Sequence, residues 1–315
     1  MTQQALDLTS ELLRGMRLSG VNYRRIETSR PFGVEFGFVP GKAQFHFISR
    51  GPVLLRMVSG QRLMLQSGDA LFIPNGDGHV LLSDDQASVV NVSRLPSEPV
   101  CDSVSCVKNA CDDAESGSAI IFSACMDFEL GGMQPLVKAM PEVMLVSSLL
   151  TSRPEIQPML AAMERESHTR QAGYAGILAR LADVVAALIV RGWVACGCGN
   201  ANGWVQVLRD PKLARAIYAM HQQPGVNWKV EELAREAGTS RSVFAERFLA
   251  ATGTTPARYL TELRMRLAVQ YISDEGQTLE KVAFRLGYSS LAAFSRAFKR
   301  ITGKAPGALR GETVL

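Results

Sequence analysis

Two stretches of this 315-residue chain follow the same grammar about fifty residues apart. In the first, Val230 to Glu236 reads as a helix that stops at Ala237-Gly238-Thr239. Ser240 then offers a cap to a second helix, Arg241 to Thr252, with Phe244 and Phe248 four residues apart and facing inward. In the second, Thr278 caps Leu279 to Leu286 and Gly287 supplies the turn. Ser289 or Ser290 then caps a helix through Ile301 that carries Phe294 and Phe298. Thr252-Gly253 and Thr302-Gly303 close both units alike, with Pro256 and Pro306 each three residues beyond the glycine. A short helix, a glycine-bearing turn and a second helix make a helix-turn-helix. One such unit is weak evidence, because many enzymes contain the geometry incidentally. Two in tandem, joined by a helix from Pro256 to about Ser273, demand a common purpose. A rigid joint of that kind sets two recognition helices into successive major grooves on one side of a duplex, about 34 Å apart. Upstream, Asp210-Pro211 is a cap followed by a first-turn proline and opens a helix through roughly His221.

Charge agrees with this partner. From Val205 to Leu315 there are 17 Lys and Arg against 10 Asp and Glu, and the rest of the chain holds 17 against 20. A basic third on a slightly acidic body is the pattern of a polyanion-binding domain attached to something else.

The run from Trp228 to Arg310, above all SRSVFAERF, PARYLTELRMRLA and VAFRLGYSSLAAFSRAFKRITGKAP, resembles the DNA-binding domain of AraC/XylS-type transcription regulators. The resemblance implies base-edge readers at Arg241, Ser242, Ala245 and Glu246 in the first unit. In the second it implies Leu291, Ala292, Ser295 and Arg296, with Lys299 and Arg300 near phosphates. The caps Ser240 and Ser290 complete the DNA-binding set. Many relatives carry a polar or acidic residue where Leu291 stands; Leu and Ala read only a thymine methyl, so Arg296 is the expected guanine reader. The other reading of Arg296 is a phosphate contact.

From Gly33 to Ser93 the texture is different. Short apolar runs at Phe45–Ile48, Val53–Val58, Arg62–Leu65 and Ala70–Ile73 alternate with Gly, Pro, Ser and Asp punctuation, which predicts a sandwich or small barrel. Glu98 to Ser118 reads as a long loop, and Ala119 to Phe128 as one more strand. Pro154 to His168 and Gly173 to Trp193 read as amphipathic helices, and the glycine-rich Cys196 to Gly203 as a linker. Gly68-Asp69 with LFIP and Pro74-Asn75-Gly76-Asp77-Gly78-His79 resembles the second half of the cupin barrel signature. With His46 on an earlier strand, and with WVQVLRDPKLARAIYAMHQQP at the junction, the chain resembles the regulators of this family that carry a cupin-like sensor.

Cupin enzymes bind a metal through three or four ligands. Here Phe47 and Ile48 follow His46 and no matching Glu is present, so two imidazoles alone would hold a divalent ion loosely. We therefore expect no metal, no cofactor and no catalysed reaction. His46 reads as a packed strand residue and His79 as a turn-stabilising one. The alternative is a cupin-type metal-dependent enzyme with a helical appendage.

Six cysteines remain. Cys125, within AIIFSACM, reads as core packing; Cys101, Cys106 and Cys111 fall in the predicted loop, and Cys196 and Cys198 in the linker. Their spacing matches no common zinc pattern. A subgroup of the regulators this chain resembles responds to oxidants through cysteine, which makes Cys101, Cys106, Cys111, Cys196 and Cys198 sensor candidates; His46 and His79 are candidates through the cupin resemblance. Against the loop cysteines stand Asp102, Asp112, Asp113 and Glu115, whose charge disfavours thiolate.

The expected architecture is α+β. Residues 1–195 form a cupin-like β-barrel with two covering helices, 196–208 a linker, and 209–315 an all-α tandem helix-turn-helix domain. The expected partners are double-stranded DNA, a second copy meeting through the two helices before the linker, RNA polymerase if the protein activates, and a small-molecule or oxidant effector. No stretch reaches the ~20 apolar residues of a membrane span. Met1 to Leu13 carries Asp7 and Glu11 with no basic segment leading into an apolar run, so a cytoplasmic protein is expected.

Overall fold

The computed structural model describes residues 17–101, 104–109, 118–129, 136–147, 149–150, 153–169, 171–196, 207, 210–273 and 276–311. Contacts divide the chain into two compact units. Residues 17–129 and 140–196 make up one, and residues 197–315 lie in the other.

The first unit is built on two facing sheets. One runs β12-β6-β3-β11-β1-β10-β9, with β1 at Arg17–Thr28, β3 at Lys42–Arg50, β6 at Ala70–Ile73, β9 at Ser97–Cys101, β10 at Val104–Asn109, β11 at Ala119–Glu129 and β12 at Met144–Leu145. The other runs β5-β4-β7-β2-β8, with β2 at Gly33–Phe36, β4 at Val53–Met57, β5 at Arg62–Leu65, β7 at His79–Leu82 and β8 at Val90–Asn91. Alternation along β3 sorts its side chains between two buried environments. Ile48 joins Ile26, Leu71, Ile73 and Ile121 against Val34, Leu55 and Leu81 of the opposite sheet. On the alternate positions of the same sheet, aromatic contacts form between Phe72 and Phe128 (5.1 Å) and between Tyr23 and Phe122 (5.4 Å). Two helices follow, α1 (Ile156–Thr169) and α2 (Tyr174–Cys196), packed on each other. Tyr23 donates its hydroxyl to the Ala179 carbonyl of α2, which ties that helix to the sheet.

One sequence expectation needs correction here. The stretch from Glu98 to Ser118 is not one loop: β9 and β10 pair antiparallel, and β10 runs parallel to β1. Its Ser, Asp and Gly content concealed strands whose buried positions are few, Val104 and Val107. The sequence of β1, RLSGVNYRRIET, is too polar to announce a strand; pairing on both sides with β10 and β11 makes it one.

The second unit is helical: α3 (Pro211–Gln222), α4 (Val230–Glu236), α5 (Arg241–Thr252), α6 (Pro256–Ser273), α7 (Leu279–Arg285) and α8 (Leu291–Thr302). Asp210 caps α3 through the Lys212 and Leu213 amides, and Thr278 caps α7 through Lys281. Gly238 and Gly287 take φ values of +61° and +80° in the two turns, a conformation only glycine adopts without cost. The two Thr-Gly endings form the same bonds. Thr252 donates to the Phe248 carbonyl and accepts from Thr254, and Thr302 donates to Phe298 and accepts from Lys304.

Candidate nucleic-acid interface and barrel interior

The helices α5 and α8 each bury one stripe and expose the rest. Phe244 and Phe248 are fully buried, 5.5 Å apart, and Phe248 meets Tyr259 of α6 at 5.8 Å. Phe294 and Phe298 repeat this at 5.7 Å, with Tyr288 at 5.6 Å, in a cluster that takes in Met265, Ala268 and Ile272 of α6. The joining helix is thus part of both cores rather than a free spacer.

Burial of those stripes fixes what remains outside. Arg241, Ser242 and Glu246 of α5 are exposed and Ala245 is half-buried; on α8, Ala292, Arg296, Lys299 and Arg300 are exposed, with Ser295 half-buried. Leu291 is half-buried against the Phe294 cluster, so part of its surface goes to packing. Ser240 accepts the Val243 amide and Ser290 the Ala293 amide, as capping requires. Arg241 pairs with Glu231 at 3.0 Å between two exposed side chains, a contact of little energetic weight that a phosphate or base can replace.

What sequence reading missed is the clamp that joins the two helix-turn-helix motifs within the helical unit. Arg264 lies on the inner face of α6, only 9% exposed. Its Nε donates to the Pro224 carbonyl at 2.6 Å, and its Nη2 to those of Val226 at 3.0 Å and Gly225 at 3.4 Å. Its guanidinium also sits 5.7 Å from the Tyr288 ring centroid. The loop it grips passes directly under the second turn: a Cβ on Gly287 would lie 2.0 Å from the Gly225 carbonyl oxygen. One side chain therefore links the loop before the first helix-turn-helix to the turn of the second. A signal existed, an arginine spaced four residues from both Leu260 and Ala268 on an apolar stripe. Beside it, His221 bonds Tyr259 at 2.7 Å; burial first, and Arg266 second, push its imidazole down to about 4.

In the barrel, cross-strand register assembles a second constellation. His46 of β3 lies opposite Ser123 of β11, which lies opposite Arg24 of β1; one step along, Gln44 lies opposite Cys125. His46 Nδ1 is 2.8 Å from Ser123 Oγ, His46 Nε2 is 2.8 Å from His79 Nε2, and His79 Nδ1 is 2.9 Å from the Asp77 carbonyl oxygen. Because a carbonyl only accepts, His79 Nδ1 carries the proton. His79 Nε2 then accepts from His46 Nε2–H, and Ser123 donates to His46 Nδ1. This directional chain requires neutral rings. Burial enforces it, holding His79 down to about 4 and His46 well below the usual histidine range. Phe36 stacks on His79 at 5.0 Å and closes the pair from the side.

The metal of cupin enzymes does not fit these residues. The two imidazoles are spent on each other, and among the described residues no group of three or more His, Cys, Asp or Glu is placed to hold an ion. The cysteine expectations divide. Cys125 is half-buried rather than core, its thiol pushed up by burial, because the part of β11 that carries it borders a small cavity. Cys106 is half-buried on β10 opposite Arg25, not in an exposed loop. Cys101 ends β9 and Cys196 ends α2, but their side chains, with all of Cys111 and Cys198, lie outside the described residues. Among the described residues no helix is long and apolar enough to cross a membrane.

A barrel of two sheets followed by two helix-turn-helix units sharing one helix defines a DNA-binding transcriptional regulator. A cupin family model matches residues 7–195 and a helix-turn-helix domain model residues 233–312. The chain belongs to the AraC/XylS family of regulators, in the group with an N-terminal cupin domain. It is 29% identical to the HTH-type transcriptional regulator AlkR of Acinetobacter baylyi, over 83% of this chain and 85% of that one. It is 26% identical to the RCS-specific HTH-type transcriptional activator RclR of Escherichia coli, over 85% and 84%. The solved DNA-binding domain of AdpA in complex with a target DNA is 29% identical over 31% of this chain and 89% of that one, at a TM-score of 0.30.

Proposed function

We propose that this regulator reads its operator with α5 and α8 in successive major grooves and acts as a homodimer whose barrel receives a signal. The observation that carries the reading is the Arg264 clamp inside the shared α6 core, which holds the two recognition helices as one body. Arg241, Ser242, Ala245 and Glu246 face the first groove. Ala292, Ser295 and Arg296 face the second, with the exposed edge of Leu291 beside them, while Lys299 and Arg300 meet phosphates. Ser240 and Ser290 hold the first turns of both helices, whose free amides carry the positive helix end toward the backbone. The functional division is 1–195 for sensing and dimerisation, 196–208 for linkage and 209–315 for DNA.

The dimer seam is α2. Ile177 and Val184 are each 46% exposed, and with the half-buried Leu181 and Leu188 they form an apolar stripe at helical spacing. A signal in the barrel then changes which half-sites the dimer spans, and RNA polymerase is the further partner if the protein activates. The signal is a small molecule or an oxidant, and the effector candidates remain His46, His79, Cys101, Cys106, Cys111, Cys196 and Cys198. RclR is by its name RCS-specific, which supports the oxidant branch. The directional bonding of His46 and His79 supports the small-molecule branch, since a neutral polar wall suits a bound ligand.

Selection of duplexes from a random pool by the full-length protein tests the reading. The enriched sequences are expected to contain two conserved blocks one helical turn apart. Enrichment without any consensus overturns the base-reading assignment.

A further inference from the structure

We infer that the cavity beside the Ser123–His46–His79 chain is a binding site for a small 2-hydroxycarboxylate. This rests on the reading of the barrel as the sensing half and names the ligand's chemistry. The cavity has a volume of about 70 Å³ and is bordered by Arg24, Gln44, Ser123 and Cys125, with Val39 and Val92 at its apolar side. That is the space of about two liquid waters, enough for a carboxylate with a carbon or two and too small for a drug-sized molecule.

Charge chooses the sign of the ligand. Lys42, on the neighbouring strand, is neutralised by Asp127 at 2.7 Å. Arg24 has no such partner among the described residues, so an anion that enters meets an uncompensated guanidinium with fork geometry suited to a carboxylate. Gln44 is only 3% exposed, yet the one hydrogen bond of its side chain is a 3.5 Å donation to the Gly37 carbonyl. Its amide therefore has N–H capacity left for a carboxylate oxygen.

The proton chain chooses the second group. Ser123 donates its hydroxyl hydrogen to His46 Nδ1, because His46 Nε2–H is committed to His79 and His79 Nδ1–H to Asp77. Toward the cavity its oxygen can only accept. A ligand hydroxyl adjacent to the carboxylate supplies the missing donor, while a plain alkyl carboxylate leaves that oxygen unpaired, a costly omission in a buried site. Cys125 forms part of the wall and takes no covalent role.

Titration calorimetry of the full-length protein with glycolate and L-lactate, without DNA, tests this. Propionate and lactamide serve as comparators. Saturable binding of the two hydroxycarboxylates is expected, with propionate several-fold weaker and lactamide not bound. Arg24→Gln is expected to weaken lactate by about tenfold or more, the scale of a lost charge-assisted pair, with circular dichroism unchanged. Ser123→Ala is expected to erase the preference for lactate over propionate. Should Arg24→Gln fail to fold, Arg24→Lys, which keeps the charge without the fork, is expected to retain binding at reduced affinity. Lactate bound equally by wild type and Arg24→Gln, lactamide bound as well as lactate, or no saturable binding of either hydroxycarboxylate overturns the proposal. Because DNA is absent, loss of duplex recognition with lactate binding intact would count against the regulator reading alone.

Discussion

Buried histidines in both units are kept neutral, and this has a consequence for how the protein tolerates acid. His79 and His221 sit at about 4 in the folded chain against an ordinary value of 6.5. Below 6.5 the unfolded chain takes up protons that the folded chain refuses, so folding stability is complete above that pH and declines as pH falls toward 4. Urea midpoints are expected to be lower at pH 5 than at pH 7, with a smaller drop in His221→Gln. A midpoint that stays level or rises contradicts the neutral-ring assignment. At this scale the sequence revealed residue types without neighbourhoods. His46 and His79 stood out as cupin-like positions, but Ser123, Gln44 and Arg24 acquired meaning only from the register that sets them side by side. Cys125 reads as core by its apolar neighbours. It shares a face of β11 with the core residue Ile121 but lies farther along the strand, where Ser123 and Cys125 border a small cavity.

Among the elements, the turns were the most legible, because only glycine sits comfortably at positive φ and only a small set of residues caps a helix. Ser240, Thr278 and Ser290 all cap as their positions predict. The clamp was not legible, since it depends on where the loop 223–228 lies in space. Two substitutions isolate it. Gly287→Ala brings a methyl into the Gly225 carbonyl at a positive φ and is expected to cost about 1–3 kcal/mol from backbone strain alone, measured by denaturant unfolding. Arg264→Leu leaves three carbonyls without their donor and is expected to weaken operator binding more than Lys299→Ala does, with helix content retained. Equal loss in the two variants would show that the units do not depend on the clamp. On α2, Val184→Glu is expected to turn the dimer into monomer in sedimentation velocity; an unchanged sedimentation coefficient removes α2 as the seam.

Across the whole molecule, the division between a β-rich body and a basic helical third was visible in texture and charge, since both are averages over many residues. The same averaging hides specificity, which rests on a few side chains. Arg296→Ala is expected to relax preference at one base pair by about 1–3 kcal/mol. Lys299→Ala is expected to lower affinity for every sequence and reduce the salt slope by about one. The most direct measurement is a hydroxyl-radical footprint of the full-length protein on a selected duplex. Two protected patches per protomer are expected, centred about 34 Å apart on the same side of the double helix. A single patch per protomer, or patches on opposite sides, would contradict the account.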